Sequence, residues 1–169
     1  MPITEQTVAA IKEIATKYNV SYSDIAILFP YKQHKLIKYY FLYWLETALD
    51  NADIPYSLIT ASLDGTFDRK RYSETNGVIL STIDSSLGLD FKAVIVTGLY
   101  PYNYVFGDNY YKKTISSWRT IKEMPDDDRD QVQSQMRSIY TACSRAREVL
   151  YVLSDLTEGT PMEEILLKR

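Results

Sequence analysis

The densest run of chemically capable residues is Thr82-Ile83-Asp84-Ser85-Ser86-Leu87-Gly88-Leu89-Asp90-Phe91, which brings hydroxyls, a glycine and two carboxylates together. Hydroxyls and backbone N–H groups can hold phosphate oxygens. Gly88 permits either close backbone approach or a positive φ. A second group, Tyr100, Tyr102, Tyr104, Tyr110 and Tyr111 with Lys112 and Lys113, suits base stacking with cations for a phosphate backbone. Packing of that loop against a neighbouring domain accounts for it equally well. Taken alone, Arg145 reads as a surface arginine on a helix. Pro125-Asp126-Asp127-Asp128-Arg129-Asp130 reads as the solvated acidic first turn of a helix rather than a metal site, because carboxylates suit that end of the dipole. His34 has no Ser or Cys partner nearby in sequence, and Cys143 reads as a buried thiol. Arg69, Lys70 and Arg71 form the best local basic patch and read as a solvated turn. The sequence holds no G-x-x-x-x-G-K-[ST], G-x-G-x-x-G, G-x-S-x-G or paired-Cys motif. It therefore offers no support for an autonomous ATPase, dehydrogenase or serine hydrolase.

Such residues act only if regular elements position them. Residues 4 to 18 predict a helix with Thr4 as N-cap and Val8, Ile11, Ile14 and Ala15 on one face. Ile25 to Phe29, apolar and followed by Pro30, predicts a buried strand. Leu36, Ile37, Tyr40, Phe41, Trp44, Leu45, Ala48 and Leu49 form a core stripe on a helix ending near Asn51. Tyr56 to Thr60 is a second strand candidate, and 61 to 76 a polar connection. Val78 to Thr82 and Ala93 to Thr97 are nearly all apolar, as expected of strands buried on both faces of a parallel sheet. The stretch 99 to 119 is irregular and aromatic. Met136, Ile139, Tyr140 and Cys143 share a face and predict a helix over about 129 to 147. Val149 to Leu153 is a fifth strand, and Pro161 to Leu167 a short closing helix. This alternation predicts a single α/β domain over 1–169 with a mainly parallel sheet. Ligands in such sheets bind beyond the C-terminal strand ends, which directs attention to the loop after Thr82.

Composition narrows the function classes. At 169 residues, 46% hydrophobic and 24% charged, the chain has the balance of a globular domain and not of a disordered tail or a disulfide scaffold. Its net charge of -3 excludes a globally basic nucleic-acid binder but leaves room for a local groove. A single cysteine cannot form an internal disulfide. No apolar run approaches the roughly 20 residues of a membrane span, and the amphipathic N-terminus lacks a signal-peptide core. A cytoplasmic location is expected.

The segment VILSTIDSSLGLDFKAVIV (78 to 96) resembles motif V of UvrD/Rep/PcrA-type superfamily 1 helicases, roughly T-x-H-x-A-K-G-L-E-F before an apolar strand. QMRSIYTACSRAREVLYVLS (135 to 154) resembles their motif VI, roughly E-R-R-L-x-Y-V-A-x-T-R-A. DIAILFP (24 to 30), a helix and DIPYSLI (53 to 59) are similar to their D-I-A-V-L-x-R, helix and G-I-P-Y sequence. The likeness runs in order over about 24 to 154. It implies a RecA-like three-layer sandwich with a mainly parallel sheet and flanking helices, a P-loop NTPase-like fold lacking the P-loop. In that family two motor domains clamp ATP, and this chain resembles the second. The phosphate loop, the N-Y-R-S segment and most of the Mg2+ binding would then belong to an N-terminal motor domain of the same, longer polypeptide. The isolated chain would not hydrolyse ATP.

The resemblance implies roles residue by residue. Arg145 matches the arginine finger of motif VI, the catalytic position. Tyr140 and Arg137 match that motif's tyrosine and second arginine, and Gly88 and Asp90 match the G-L-E of motif V, whose acidic residue approaches the ribose. Those five form the implied ATP-binding set. Thr82, Asp84 and Ser85 lie where the family contacts single-stranded DNA. Asp84 stands in place of the usual His, Leu87 of Lys, Asp90 of Glu, Gln135 of Glu, Ser144 of Thr, and Pro30 of a common Arg. About 16 residues separate Thr60 from Gly77, too few for the family's accessory domain. The expected function is the C-terminal motor domain of an ATP-dependent DNA helicase, with RNA polymerase or a repair protein as further candidate partners. The alternative is a non-unwinding module that binds a protein such as RNA polymerase, favoured by the charge lost at 84 and 87.

Overall fold

The computed structural model describes residues 1–30, 40–59, 76–99, 122–123 and 125–154. Helix α1 (Ile3–Lys17) precedes β1 (Ile25–Phe29), α2 (Phe41–Asn51), β2 (Tyr56–Leu58), β3 (Val78–Thr82), β4 (Phe91–Leu99), α3 (Asp126–Cys143) and β5 (Ala146–Ser154). The five strands form one parallel sheet in the order β2-β3-β1-β4-β5. β1 is central because every residue of it is fully buried, which only a strand covered on both faces achieves. Its neighbours are in register at Ala26↔Ile79 and Leu28↔Ser81 on one side and Ile25↔Ala93 and Leu28↔Val96 on the other. The domain is an α/β RecA-like fold, as the sequence predicts.

Phe29 and Thr97 each lie one step beyond the Leu28↔Val96 pair, so they share a face of the sheet. Phe29 meets Phe41 of α2 with ring centroids 5.6 Å apart, and Thr97 shares a buried hydroxyl hydrogen bond of 3.0 Å with Thr7 of α1. Both helices therefore cover that face. Tyr151 on β5 adds a tie to α1, its hydroxyl donating to Glu13 Oε1 at 2.8 Å. Among the described residues no helix is long and apolar enough to cross a membrane.

Helix faces depart from the sequence reading more than strands do. α1 begins one residue early with Pro2 as N-cap, and Thr4 sits inside the first turn. Its buried face is Thr7, Ala10, Ile11 and Ile14, leaving Val8 and Ala15 half-buried. On α2 the core stripe is Phe41, Leu45 and Leu49. Trp44 is 42% exposed and Tyr40 38%, so Trp44 is not a core residue. A helix this short buries one narrow row four residues apart, and the neighbouring aromatics flank it. α3 starts earlier and stops earlier than expected, at Cys143, because a turn at Ser144 and Arg145 leads straight into β5. On α3, Ile139 and Ala142 are buried while Tyr140 is 76% exposed, so Tyr140 does not belong to the apolar face. Cys143 is half-buried, and burial pushes its thiol up from its ordinary value.

The chain divides into two compact units, Met1–Gly98 with Thr141–Leu153, and Leu99–Tyr140 with Ser154–Arg169. The first holds the sheet through Gly98, the loop between β3 and β4, and Arg145. In the second, α3 opens on exposed Asp126 and Asp127, with Arg129 paired to Asp126 and its N–H on Pro125 O at 2.9 Å. Among the described residues no group of three His, Cys, Asp or Glu could hold a metal ion. His34, the Arg69–Arg71 patch, the tyrosine-rich stretch from Tyr100, Leu36, Ile37, Thr60 and the closing helix lie outside the described residues.

Candidate functional site

The loop between β3 and β4 has to carry the chain from the C-terminal edge of the sheet back to its N-terminal edge, since the two strands are parallel. It starts with Ile83 N–H on Phe29 O at 3.0 Å and a 3₁₀ turn over Asp84–Ser86. The Thr82 hydroxyl donates to Ser85 Oγ at 2.8 Å, and Ser85 N–H returns to Thr82 Oγ1 at 3.3 Å. Ser86 is buried and donates to Ile83 O at 2.7 Å. These bonds leave Asp84 and Leu87 on the surface, Leu87 63% exposed. Gly88 follows at φ 79°, and an added Cβ there would meet nothing. The positive φ is one of the two roles that the sequence offers for this glycine. Leu89 N–H then bonds Ser86 O at 3.0 Å and closes the loop.

Arg145 occupies the turn before β5 and meets the far end of this loop. Its backbone carbonyl accepts Phe91 N–H at 2.9 Å. Its guanidinium is held at both edges: Nε donates to Thr141 O at 3.2 Å, Nη2 to Ser144 Oγ at 3.2 Å, and Nη1 to Leu89 O at 3.4 Å. Asp90 Oδ1 lies 3.4 Å from Nη1, with the side chains 23% and 60% exposed for Arg145 and Asp90. A guanidinium so anchored, yet reachable by solvent, can engage an anion with little further loss of freedom.

The sequence-derived candidates fall into two groups on opposite edges. Thr82, Asp84 and Ser85 lie at the C-terminal end of β3, beside the end of β1, as the Phe29↔Thr82 register shows. Asp90 directly precedes β4, and Arg145 directly precedes β5. The loop after Thr82, to which the strand-end rule directs attention, thus reaches both edges: Asp90 and Arg145 sit at strand beginnings, about a strand length away, on the order of 15 Å. Gly88 lies on the path between. Arg137 and Tyr140 are exposed on α3 and belong to the second unit. Sequence reasoning missed the carbonyls of Leu89 and Thr141, which carry no residue signature, and the anchoring part of Ser144, flagged only as a substitution.

Sheet order and flanking helices define the class, an α/β domain of RecA-like type. Within that class the chain is similar to the solved structure of the C-terminal domain of a possible DNA helicase from Lactobacillus plantarum WCFS1. The TM-score is 0.53 at 19% sequence identity, over 94% of this chain and 70% of that one. No protein-family model matches the sequence, and no curated protein does.

Proposed function

We propose that this chain is the second RecA-like motor domain of a UvrD-like superfamily 1 DNA helicase, contributing the motif V and motif VI half of an ATP site. The observation that carries the reading is the meeting of Arg145 with Leu89 and Asp90, 56 residues apart for the hydrogen-bonded pair. The two stretches that resemble motifs V and VI come together where one phosphate-binding site would need them. In this reading Arg145 stabilises charge on the γ-phosphate from the opposite side of a cleft. A first motor domain supplies the phosphate loop and the Mg2+ ligands. Thr82 and Ser85, at the other edge of the sheet, face the sugar-phosphate backbone of single-stranded DNA. Separation of the two sets fits a motor, in which nucleotide and track occupy different surfaces. ATP turnover by the natural polypeptide with Arg145 replaced tests the assignment.

A second reading, a non-unwinding module that binds a protein, draws on the exposed Asp84 and Leu87. An anion and an apolar side chain there oppose a phosphate backbone. Titration with a fluorescent single strand at several salt concentrations separates the two. Asp84→His with Leu87→Lys should tighten binding and steepen the salt dependence by about 0.7 in slope per phosphate newly contacted. An affinity identical to the parent chain's would mean that this loop does not face DNA, and the second reading would be preferred.

A further inference from the structure

Arg145 presents five N–H groups. Thr141 and Ser144 take one each from Nε and Nη2, and both belong to the same stretch of chain as Arg145, so they move with it. Leu89 O and Asp90 Oδ1 share Nη1. Among the described residues these two are the only groups from another segment that the guanidinium meets. They are also its longest contacts, both at 3.4 Å, beyond the usual 2.9 to 3.0 Å mode. Further along the two strands, Lys92 and Glu148 form a second pair 3.9 Å apart.

We propose that Asp90 is a positioning residue for Arg145, whose carboxylate directs the guanidinium before any phosphate arrives. The proposal rests on the reading of Arg145 as the phosphate partner. It departs from the role that the motif V likeness implies for Asp90, contact with a ribose. An aspartate reaches one methylene less far than the family's glutamate, and here its Oδ1 lies 3.4 Å from Nη1 as an ion pair. Leu89 O assists from the backbone, where no substitution removes it. Asp90 pairs with Nη1 by charge, so one N–H on each Nη has no hydrogen-bond acceptor among the described residues, on a guanidinium already fixed in plane, as an added anion would require.

Two measurements test this. In the 169-residue chain, nitrogen NMR reads rotation about the Arg145 Cζ–Nη bonds directly, whatever the protein does. Asp90→Asn keeps the shape and removes the charge, and it should speed that rotation several-fold. Rotation equal to that of the parent chain overturns the proposal. In the ATP-hydrolysing natural polypeptide, Asp90→Asn should lower kcat about tenfold through loss of orientation. KM for ATP and the preference for ATP over dATP should hold. Asp90→Ala should add nothing in an Arg145→Ala background, since a residue that acts through another has no effect once the other is gone. A raised KM with altered discrimination between ATP and dATP would identify a ribose contact and overturn the proposal. Wild-type turnover in Arg145→Ala would instead sink the reading of the site, and the rotation measurement would still decide whether Asp90 holds the guanidinium.

Discussion

Arg145→Ala should lower ATP turnover of the natural polypeptide by about 10³-fold or more while leaving the fold of this domain in place. The size follows from the chemistry. In phosphoryl transfer the protein acts by positioning and by stabilising charge on the phosphoryl oxygens, and an arginine that does so is worth about 10³ to 10⁵ in rate. The guanidinium's effect is concentrated in the transition state, so the loss should appear in kcat far more than in KM. Lysine should not rescue it. A single ammonium cannot bond Thr141 O, Ser144 Oγ and Leu89 O at the angles the guanidinium uses and still present a donor outward. Stability should change little, because the pair with Asp90 is partly solvated and exposed ion pairs contribute about 0–1 kcal/mol. Circular dichroism melts of parent and variant would establish that the fold is spared. Turnover within a few-fold of the parent, in a variant that melts normally, would remove Arg145 from the phosphate.

How far the sequence leads depends on the kind of signal. Ile25 to Phe29 and Val78 to Thr82 are located to the residue, because a strand buried on both faces has no polar positions to blur its ends. Helix faces are less legible. Trp44 and Tyr140 count as apolar in any periodicity argument, yet each lies one helical position away from a buried row and is exposed. The row is chosen by the sheet beneath, as when Phe41 packs on Phe29, and the helix sequence does not contain that information. The site divides the same way. Gly88, Asp90 and Arg145 stand out by type and order. Their pairing across 55 residues of chain leaves no local trace, since an ion pair between distant segments is fixed only when the strands that carry them align. That alignment also sets Asp90 and Arg145 at strand beginnings, against the general rule for ligands in open sheets.

The pairing of β2 with β3, the strand that leads into the loop at Thr82, is open to a direct test at Gly77, immediately before β3. A Cβ at this position would overlap the carbonyl of Pro55 and come within 2.5 Å of Tyr56 N. Both are backbone atoms, so no side-chain rotation relieves the clash. The same carbonyl accepts Val78 N–H at 2.8 Å, and Tyr56 is in register with Val78. Gly77→Ala therefore has to push β2 off β3 where their pairing starts, or tilt β3 itself. β3 cannot tilt freely, because Val78, Ile79 and Leu80 are buried and Ser81 bonds Ile59 O at 3.0 Å. Overpacking of this kind costs about 3 kcal/mol or more, which lowers Tm by roughly 10–20 °C for a unit of about this size. Gly88→Ala offers the contrast. Its position has a positive φ and open space, so the cost is the left-handed conformation alone, about 1 kcal/mol. The expected order is thus Gly77→Ala far below Gly88→Ala, with the parent highest. If Gly77→Ala melts with the parent, β2 does not lie against β3 as described. The strand that leads into the loop at Thr82 would then have a different neighbour on that side.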